Sequence, residues 1–271
     1  MAEQQRRIQG LGWVRDLPDP RDLMFSAPVN LLKALPATAD LRPQCPPVYD
    51  QGQIGSCTAN AIAAAVQFDR RKGNEAPDFV PSRLFIYYNE RAMEGHVAFD
   101  AGAQIRDGIK SVAQQGVCPE DEWPYDATPA ASDGGAFPPG SRAAEKPTAQ
   151  CYTDATQHTA IAYHRVTQVL SQMKGCLAGG YPFVFGISVF QSFWGPDGKQ
   201  AVVTPLPSAN DQPVGGHAVL AVGYDDGKGQ FVVRNSWGPD NADHGYFYMP
   251  YEYVMDHQLA SDFWVVSTIK A

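Results

Sequence analysis

Apolar residues recur at helical spacing in the first half of the chain. This pattern predicts helices at Cys57–Arg71, from Ser82 to Gly95 and at Ile105–Gln115, each ending near a glycine, as helices commonly do. One more amphipathic helix is predicted at Val166–Ala178. The first half is therefore expected to be mainly helical.

The second half consists of β-branched and aromatic runs separated by turn residues, which is the pattern of strands. The predicted strands are Phe183–Phe190, His217–Tyr224, Phe231–Trp237, Gly245–Tyr253 and Phe263–Ile269. Residues Asp225–Gly229 have the composition of a hairpin connection. Helices followed by strands predict an α+β fold in two lobes. We expect a mainly helical left lobe over residues 36–150 and a mainly β right lobe over residues 151–271, after an N-terminal extension over residues 1–35.

The composition is that of a folded globular chain with 271 residues, of which 44% are hydrophobic. Its 21 basic and 29 acidic residues give a net charge of −8, and without a basic stripe we expect no nucleic acid partner. No apolar run approaches the roughly 18–20 residues that span a bilayer, so no membrane partner is predicted. The N-terminus lacks the apolar core of a secretory signal. The location stays open between the cytoplasm, as the default, and export by a signal-independent route.

Five cysteines occur, so at least one thiol is unpaired in a monomer. None of their spacings is that of a Cys-x-x-Cys motif, and the histidines are scattered, so no metal site is predicted. Spacing does not determine whether Cys45, Cys118, Cys151 and Cys176 form disulfides.

Cys57 differs from these four because it lies where the first predicted helix begins, after Ser56 as the expected N-cap. Unsatisfied backbone N–H groups and the helix dipole favour a thiolate at that position, and the thiolate is the nucleophilic form. Gly52 and Gly55 would let a substrate approach the backbone closely. By itself, a cysteine at a helix start is more often a small apolar packing residue.

A histidine and an asparagine are placed to work with this thiol. His217 follows Gly215 and Gly216 at the start of a predicted strand, and Asn235 lies at the end of the next strand. In an antiparallel pair joined by the 225–229 turn, the two side chains fall near the same end of the ladder. The asparagine carbonyl would then hold the imidazole tautomer, as a carboxylate does in serine triads.

Three segments together resemble the catalytic blocks of papain-like cysteine peptidases. They are the oxyanion-glutamine and nucleophile segment Gln51–Cys57, the histidine segment Gly216–Val219 and the asparagine segment Asn235–Gly238, in the order found in that family. The resemblance covers roughly residues 36 to 255. It implies the papain-like two-lobed fold, in which the helical lobe carries the nucleophile, the antiparallel β lobe carries the histidine and asparagine, and the active-site cleft lies between them.

The resemblance implies a role for each matching residue. The Cys57 thiolate would attack the scissile carbonyl, and His217 would hold the proton that later goes to the leaving amine. Asn235 would orient His217. The Gln51 side chain and the Cys57 backbone N–H would form the oxyanion hole.

Three further residues are implied at the substrate cleft. Gly102 resembles the glycine that pairs with the substrate backbone, and Gly216 is the neighbour of the catalytic histidine. Trp237 is expected to shield the histidine–asparagine hydrogen bond from water.

The sequence also departs from the family pattern. Ile54 stands where the family often has a cysteine, and Thr58 replaces the tryptophan that usually follows the nucleophile. A second tryptophan is missing near Asn241, which should alter the leaving-group side of the cleft. These departures resemble bacterial or viral branches of the family more than lysosomal ones.

The resemblance implies a monomeric endopeptidase that hydrolyses proteins or peptides through an acyl-enzyme thioester, without metal or organic cofactor. Two other functions stay open. The same residues would also serve an acyltransferase or amidase, and the fold without turnover would be a silent peptide-binding module. The intact set of Gln51, Cys57, His217 and Asn235 counts against the silent module, because binding alone does not need it.

The segment Gly10–Pro36 is rich in proline, aspartate and arginine and predicts an irregular arm, without a helix over Asp16–Asp22. The extension over residues 1–35 is too short to be the long helical propeptide familiar from the family. It has two interpretations. The arm either lies over the cleft and limits access before activation, as a short pro-segment, or it is a packing strap without a regulatory role.

Overall fold

A computed structural model of the protein describes residues 10–158 and 161–268. Its helices are α1 (Val29–Leu32), α2 (Cys57–Lys72), α3 (Arg83–Glu94), α4 (Ile105–Gln115), α5 (Ala149–Ala155), α6 (Leu170–Ala178) and α7 (Tyr251–Met255). Its strands are β1 (Trp13–Val14), β2 (Met24–Phe25), β3 (Thr38–Asp40), β4 (Ala103–Gln104), β5 (Ile161–Val166), β6 (Phe183–Phe190), β7 (Pro213–Asp225), β8 (Gln230–Arg234), β9 (Tyr246–Pro250) and β10 (Ala260–Thr268). Within the two described ranges, no helix has the length and apolar character that a membrane crossing requires.

Helix α2 connects the helices of the molecule to its sheet. It packs against α3 and α4 and also against strands β7 and β10. Its residues from Cys57 to Arg70 are all buried, and the many alanines among them allow neighbouring elements to approach closely. Cys57, as the first residue of α2, therefore lies where the helices meet the sheet.

The helices predicted at either side of Gly95 are confirmed. The Ser82 hydroxyl accepts a hydrogen bond from the Phe85 backbone N–H at 3.2 Å and so caps α3. Gly95 ends α3 with a left-handed φ of 82°, which glycine adopts without steric cost. Helix α4 has the predicted bounds.

The predicted capping of α2 by Ser56 is wrong in its detail. Ser56 is the residue before the helix, but its side chain makes no capping hydrogen bond. Its hydroxyl instead hydrogen-bonds with the Tyr125 hydroxyl at 2.6 Å and accepts from Asn60 Nδ2 at 3.0 Å. The N–H groups at the start of α2 are therefore not capped by this side chain.

The strands form an eight-stranded sheet in the order β2-β5-β10-β6-β7-β8-β9, with β3 paired to β7 outside this path. All pairs are antiparallel except that of β2 with β5. The predicted hairpin joins β7 to β8, and Asp225 pairs with Gln230 at its closed end. Helices packed on a mostly antiparallel sheet agree with the predicted α+β class.

The helix predicted at Val166–Ala178 is wrong over its first residues. Residues 161–166 form β5, which pairs with β10 on one edge and with β2 on the other, and α6 begins only at Leu170. The partners of β5 come from both ends of the chain, so local periodicity could not indicate them.

Two predicted strands are shorter in the structure. The strand predicted at Gly245–Tyr253 ends at Pro250, because the next residues form helix α7. The strand predicted at Phe231–Trp237 ends at Arg234. Ile269, the predicted end of the last strand, lies outside the described residues.

The arm follows an irregular path that includes the short strands β1 and β2 and, unlike the prediction, the four-residue helix α1. No helix or strand is formed over Asp16–Asp22, as predicted. Strand β1 pairs in parallel with β4, where Trp13 is opposite Ala103. Strand β2 joins the edge of the sheet beside β5. The arm is thus attached both to the helical part and to the sheet.

Candidate active site

The Cys57 thiol is fully buried at the start of α2. Burial raises the pKa of this thiol to about 12, although the backbone N–H groups of Ala218 and Gly12 act in the opposite direction. The contact with Ala218 places the sulfur beside the residue that follows His217. The contact with Gly12 shows that the arm reaches the same point.

His217 makes the hydrogen bond that the hairpin predicted. Its Nε2 lies 2.8 Å from Asn235 Oδ1, and because that oxygen is an acceptor, Nε2 donates. Nδ1 is buried and has no hydrogen-bond partner among the described residues. Burial lowers the pKa of His217 to about 4, and the hydrogen bond to Asn235 opposes this shift only in part. With both groups buried, the imidazole is neutral at pH 7, and so is the Cys57 thiol.

Asn235 follows directly after β8 and is held on both sides of its amide. Oδ1 also accepts from the Ser236 backbone N–H at 2.8 Å, and Nδ2 donates to Gln200 Oε1 at 2.9 Å. The Trp237 ring stacks on the His217 ring, with centroids 4.7 Å apart and planes inclined by 28°. Trp237 thus lies against the histidine, as expected for a residue that keeps water from the histidine–asparagine pair.

Gln51 is fully buried next to this group. Its Oε1 accepts from the Ser236 hydroxyl at 2.5 Å, so the amide nitrogen is directed away from Ser236. Nε2 donates to the Ile54 carbonyl at 2.9 Å and to the Gly10 carbonyl of the arm at 2.7 Å. The second distance is the one expected between an oxyanion-hole donor and its oxygen.

The arm crosses the glycines that sequence reasoning assigned to substrate. The Ala103 backbone N–H donates to the Gly12 carbonyl at 2.8 Å, beside Gly102. A Cβ atom added to Gly102 would lie 2.0 Å from the Gly12 oxygen, and one added to Gly216 would lie 2.3 Å from the Trp13 oxygen. Only glycine allows the arm backbone to approach this closely at both positions.

Trp13 anchors the arm in a pocket of the sheet. Its ring packs over Gly186, where a Cβ atom would lie 1.9 Å from the indole. The indole Nε1 donates to Asp262 Oδ2 at 3.2 Å, and the same oxygen accepts from the Asp16 backbone N–H at 2.8 Å. Asp262 is buried and has a left-handed φ of 59°. The buried Asp262 carboxylate therefore holds the arm at both Trp13 and Asp16.

A network of three carboxyl groups and two guanidinium groups fixes the next residues of the arm. Arg106 pairs with Asp22 at 2.6 Å, and Arg165 pairs with Asp262 at 2.8 Å, with Asp22 at 3.3 Å and with Asp16 at 3.6 Å. The carboxyl groups outnumber the guanidinium groups by one. Burial, followed by repulsion from Asp262, raises the pKa of Asp16 to about 7.

Sequence reasoning missed Gln200 and Asp262. Gln200 precedes Asn235 by 35 residues in a turn-rich segment, and nothing in its surroundings indicates that it contacts the asparagine. Asp262 directly precedes the apolar run of the last strand, and a carboxyl group beside such a run is a usable signal of a buried polar contact.

Two other cysteines, Cys118 and Cys151, form a group with Glu122. Cys118, Glu122 and Cys151 bring two buried sulfur atoms and one carboxylate oxygen within 4.8 Å of one another. All five cysteines are described, and each has a free thiol. Cys45, Cys118, Cys151 and Cys176 therefore form no disulfide in this structure, which is the question that spacing left open.

Comparisons with known proteins agree with this geometry. Residues 35–264 match the family described as papain family cysteine protease. The chain is 51% identical to xylellain, a cysteine protease from Xylella fastidiosa, whose crystal structure superposes over 100% of both chains with a TM-score of 0.93. It is 36% identical to an uncharacterised peptidase C1-like protein of Acanthamoeba polyphaga mimivirus, over 96% of this chain and 88% of that one. Digestive procathepsin L2 of Tenebrio molitor is 19% identical and has the same fold, with a TM-score of 0.68 over 98% of this chain and 81% of that one.

These matches confirm the α+β papain-like fold, and the similarity to the Xylella and mimivirus proteins agrees with the predicted bacterial or viral branch. The family match extends across all three catalytic blocks. The chain therefore belongs to the papain family of cysteine proteases and is a hydrolase.

Proposed function

We propose that this protein is an endopeptidase that cleaves peptide bonds through a thioester on Cys57, with His217 as the proton carrier and Asn235 as its orienter. The observation that carries the proposal is the 2.8 Å hydrogen bond between His217 Nε2 and Asn235 Oδ1. Because Nε2 holds its proton there, Nδ1 is the ring atom free to exchange a proton with the thiol.

The two steps of the reaction follow from this arrangement. The sulfur attacks the carbonyl carbon while its proton passes to Nδ1, and His217 then gives that proton to the leaving amine as the C–N bond breaks. Water then attacks the thioester carbon and gives a proton to Nδ1, the C–S bond breaks to release the new carboxylic acid, and the proton returns from Nδ1 to the sulfur. Within the protein, only Cys57 and His217 change their covalent bonds.

Gln51 and the Cys57 backbone N–H are proposed to bind the oxyanion. The Ser236 hydroxyl directs the Gln51 amide nitrogen towards the point that the Gly10 carbonyl occupies. A substrate carbonyl at that point would receive the same donor. Losing one such donor typically costs about 3–4 kcal/mol of transition-state stabilisation.

The arm is proposed to be a short inhibitory pro-segment. The Gly10 carbonyl uses the Gln51 donor, and Gly12 and Trp13 cover Gly102 and Gly216. With the arm in place, the thiol and the imidazole are both buried and neutral, whereas nucleophilic attack needs the thiolate. Displacement of the arm would open the cleft and rehydrate both groups.

Hydrolysis is expected to exceed acyl transfer. An unfolded protein substrate is incubated in H₂¹⁸O that contains a primary amine. The enzyme is either the full chain or its Gly12→Val variant, in which the new side chain would collide with Gly55 and displace the arm. Mass spectrometry should find new carboxyl termini that carry one ¹⁸O atom, in larger amounts than amine adducts. An excess of amine adducts would favour an acyltransferase, and the absence of both products would contradict the peptidase.

Arm docking is expected to weaken as the pH rises towards 7. Asp16 in the docked arm has a pKa raised to about 7, whereas a free aspartate has a pKa of about 4. Between these values the docked arm holds a proton that the released arm does not hold. The equilibrium constant for docking therefore falls by up to about tenfold for each pH unit between about pH 4 and pH 7, and it is constant above that range.

The measurement is the rate of Cys57 alkylation in the wild type divided by the rate in Asp16→Asn, from pH 4 to 9. The ionisation of the thiol cancels in this ratio. The substituted side chain keeps an acceptor for the Trp264 indole, which in the wild type donates to Asp16 Oδ2 at 2.9 Å. The ratio should rise with pH and level off above about 7. A constant ratio would show that Asp16 does not titrate with docking.

A further inference from the structure

A chain of three amide side chains lies behind the proposed catalytic histidine. Gln200 Oε1 accepts hydrogen bonds from Asn235 Nδ2 at 2.9 Å and from Asn241 Nδ2 at 2.6 Å. Gln200 is 4% exposed and Asn235 is 3% exposed. Hydrogen bonds between groups this well buried fix orientation, because water does not replace a lost partner.

The orientation of the Asn235 amide decides which atom faces His217. A carboxamide has an oxygen that accepts and a nitrogen that donates, and the two ends have nearly the same shape. If the amide turned over, Nδ2 would face His217 Nε2 and would require that nitrogen to be bare. The proton would then sit on Nδ1, which is the atom that must accept the proton of the Cys57 thiol.

Gln200 opposes this reversal because its carbonyl oxygen can only accept. It therefore pairs with Asn235 Nδ2 and leaves Oδ1 for His217. The Ser236 backbone N–H supports the same orientation from the other side, through its 2.8 Å bond to Oδ1. Gln200 acts on the nitrogen end of the amide, and Ser236 acts on the oxygen end.

Asn241 determines in turn which end of Gln200 faces Asn235. Its Nδ2 donates to the same Oε1. If the Gln200 amide reversed, its NH₂ group would face the NH₂ groups of both asparagines, and no acceptor would remain for either. Gln200 Nε2 has no partner among the described residues, so no other contact there competes for this choice. Asn241 lies near the point where the family's second tryptophan is missing. Gln200 and Asn241 line a groove of about 680 Å³ together with Trp237.

We propose that Gln200, held by Asn241, is a positioning residue of the peptidase reaction that fixes the Asn235 amide and, through it, the Nε2-protonated tautomer of His217. This inference rests on the proposed function of the Cys57, His217 and Asn235 group. Gln200 does not react with substrate, and its effect is carried by Asn235.

The main test replaces Gln200 with methionine in the full chain. Methionine has a similar length but offers no comparable acceptor, so Asn235 can turn over. We expect kcat for a fluorogenic peptide to fall by about tenfold to a hundredfold, with KM nearly unchanged. In ¹⁵N-histidine NMR spectra, His217 should change from protonation at Nε2 towards a mixture of both tautomers. The NMR measurement does not depend on an open cleft.

A rescue variant and a matched control separate positioning from folding. Gln200→Glu keeps an acceptor for both asparagines, so it should restore most of kcat. Its negative charge should also stabilise the imidazolium form of His217, so the fall in rate at alkaline pH should begin at a higher pH. Gln67→Met removes an equally buried amide of α2, 3% exposed, which hydrogen-bonds Tyr49 and Asp78. It should leave the His217 tautomer unchanged. If Gln200→Met does not fold, Asn241→Leu replaces it in the test, because the loss of the Asn241 donor leaves the Gln200 amide able to reverse.

The outcomes distinguish this inference from the proposed function. A large loss of kcat in Asn235→Ala, with an unchanged tautomer and kcat in Gln200→Met, would overturn the role of Gln200 alone. Unchanged activity in both Asn235→Ala and Gln200→Met would contradict the proposed catalytic group itself. A mixed His217 tautomer and low kcat in Gln200→Met, with recovery in Gln200→Glu, would establish the role of Gln200.

Discussion

Cys57→Ala is expected to abolish peptide hydrolysis and to leave the protein folded. Without the sulfur no thioester can form, and the loss of a nucleophile from a catalytic group of this kind lowers kcat by about 10⁶-fold. Alanine suits the first turn of a helix, and the change removes a single buried atom from the start of α2. The measurements are kcat/KM for a peptide substrate and the thermal unfolding midpoint of both proteins.

Cys118→Ala is the matched control, because Cys118 is also fully buried and is separate from the proposed catalytic group. It loses the same atom at a similar cost in packing. We expect its kcat/KM to stay within about twofold of the wild type, since surface and packing changes outside a site rarely alter its chemistry. An equal loss of activity in both variants would mean that a damaged fold, and not a missing nucleophile, explains Cys57→Ala.

The arrangement of the proposed catalytic group was predictable because it depends on short-range rules. A helix start placed Cys57, and a hairpin turn at residues 225–229 fixed the register of the strands on either side of it. Turn geometry sets the pairing of an antiparallel hairpin, so His217 and Asn235 had to lie near the same end. The 2.8 Å contact between them confirms this step of the reasoning.

The path of the arm could not be predicted, because its contacts join distant parts of the sequence. Trp13 pairs with Ala103, and its indole donates to Asp262 near the other end of the chain. Composition indicated an irregular segment and nothing about its destination.

Ser56 is a different case, since its hydroxyl has nearby capping targets but bonds to Tyr125. The division into lobes at residues 150 and 151 stays a prediction.

Gly12→Val is expected to raise the rate at which a peptidyl epoxide modifies Cys57 by about 5- to 150-fold. A Cβ atom on Gly12 would lie 1.8 Å from the Gly55 carbonyl oxygen, and this is a backbone atom of the cleft that cannot move aside cheaply. Overpacking of this kind costs about 1–3 kcal/mol, which corresponds to that change in the docking equilibrium. The substitution leaves Gln51, Cys57, His217 and Asn235 in place, so faster labelling would report displacement of the arm.

The matched control is Leu17→Ala, a change in the same arm at a side chain that is 71% exposed. It should leave the labelling rate as in the wild type. Mass spectrometry locates the adduct, which should lie on Cys57 only and should be absent from Gly12→Val combined with Cys57→Ala. Equal and rapid labelling of all three chains that keep Cys57 would mean that the arm does not limit access. Rapid labelling of Gly12→Val alone would mean that the close contact of Gly12 with the cleft backbone is needed to keep Cys57 inaccessible. The other arm contacts, at Trp13, Asp16 and Asp22, are still present in that variant and would not suffice.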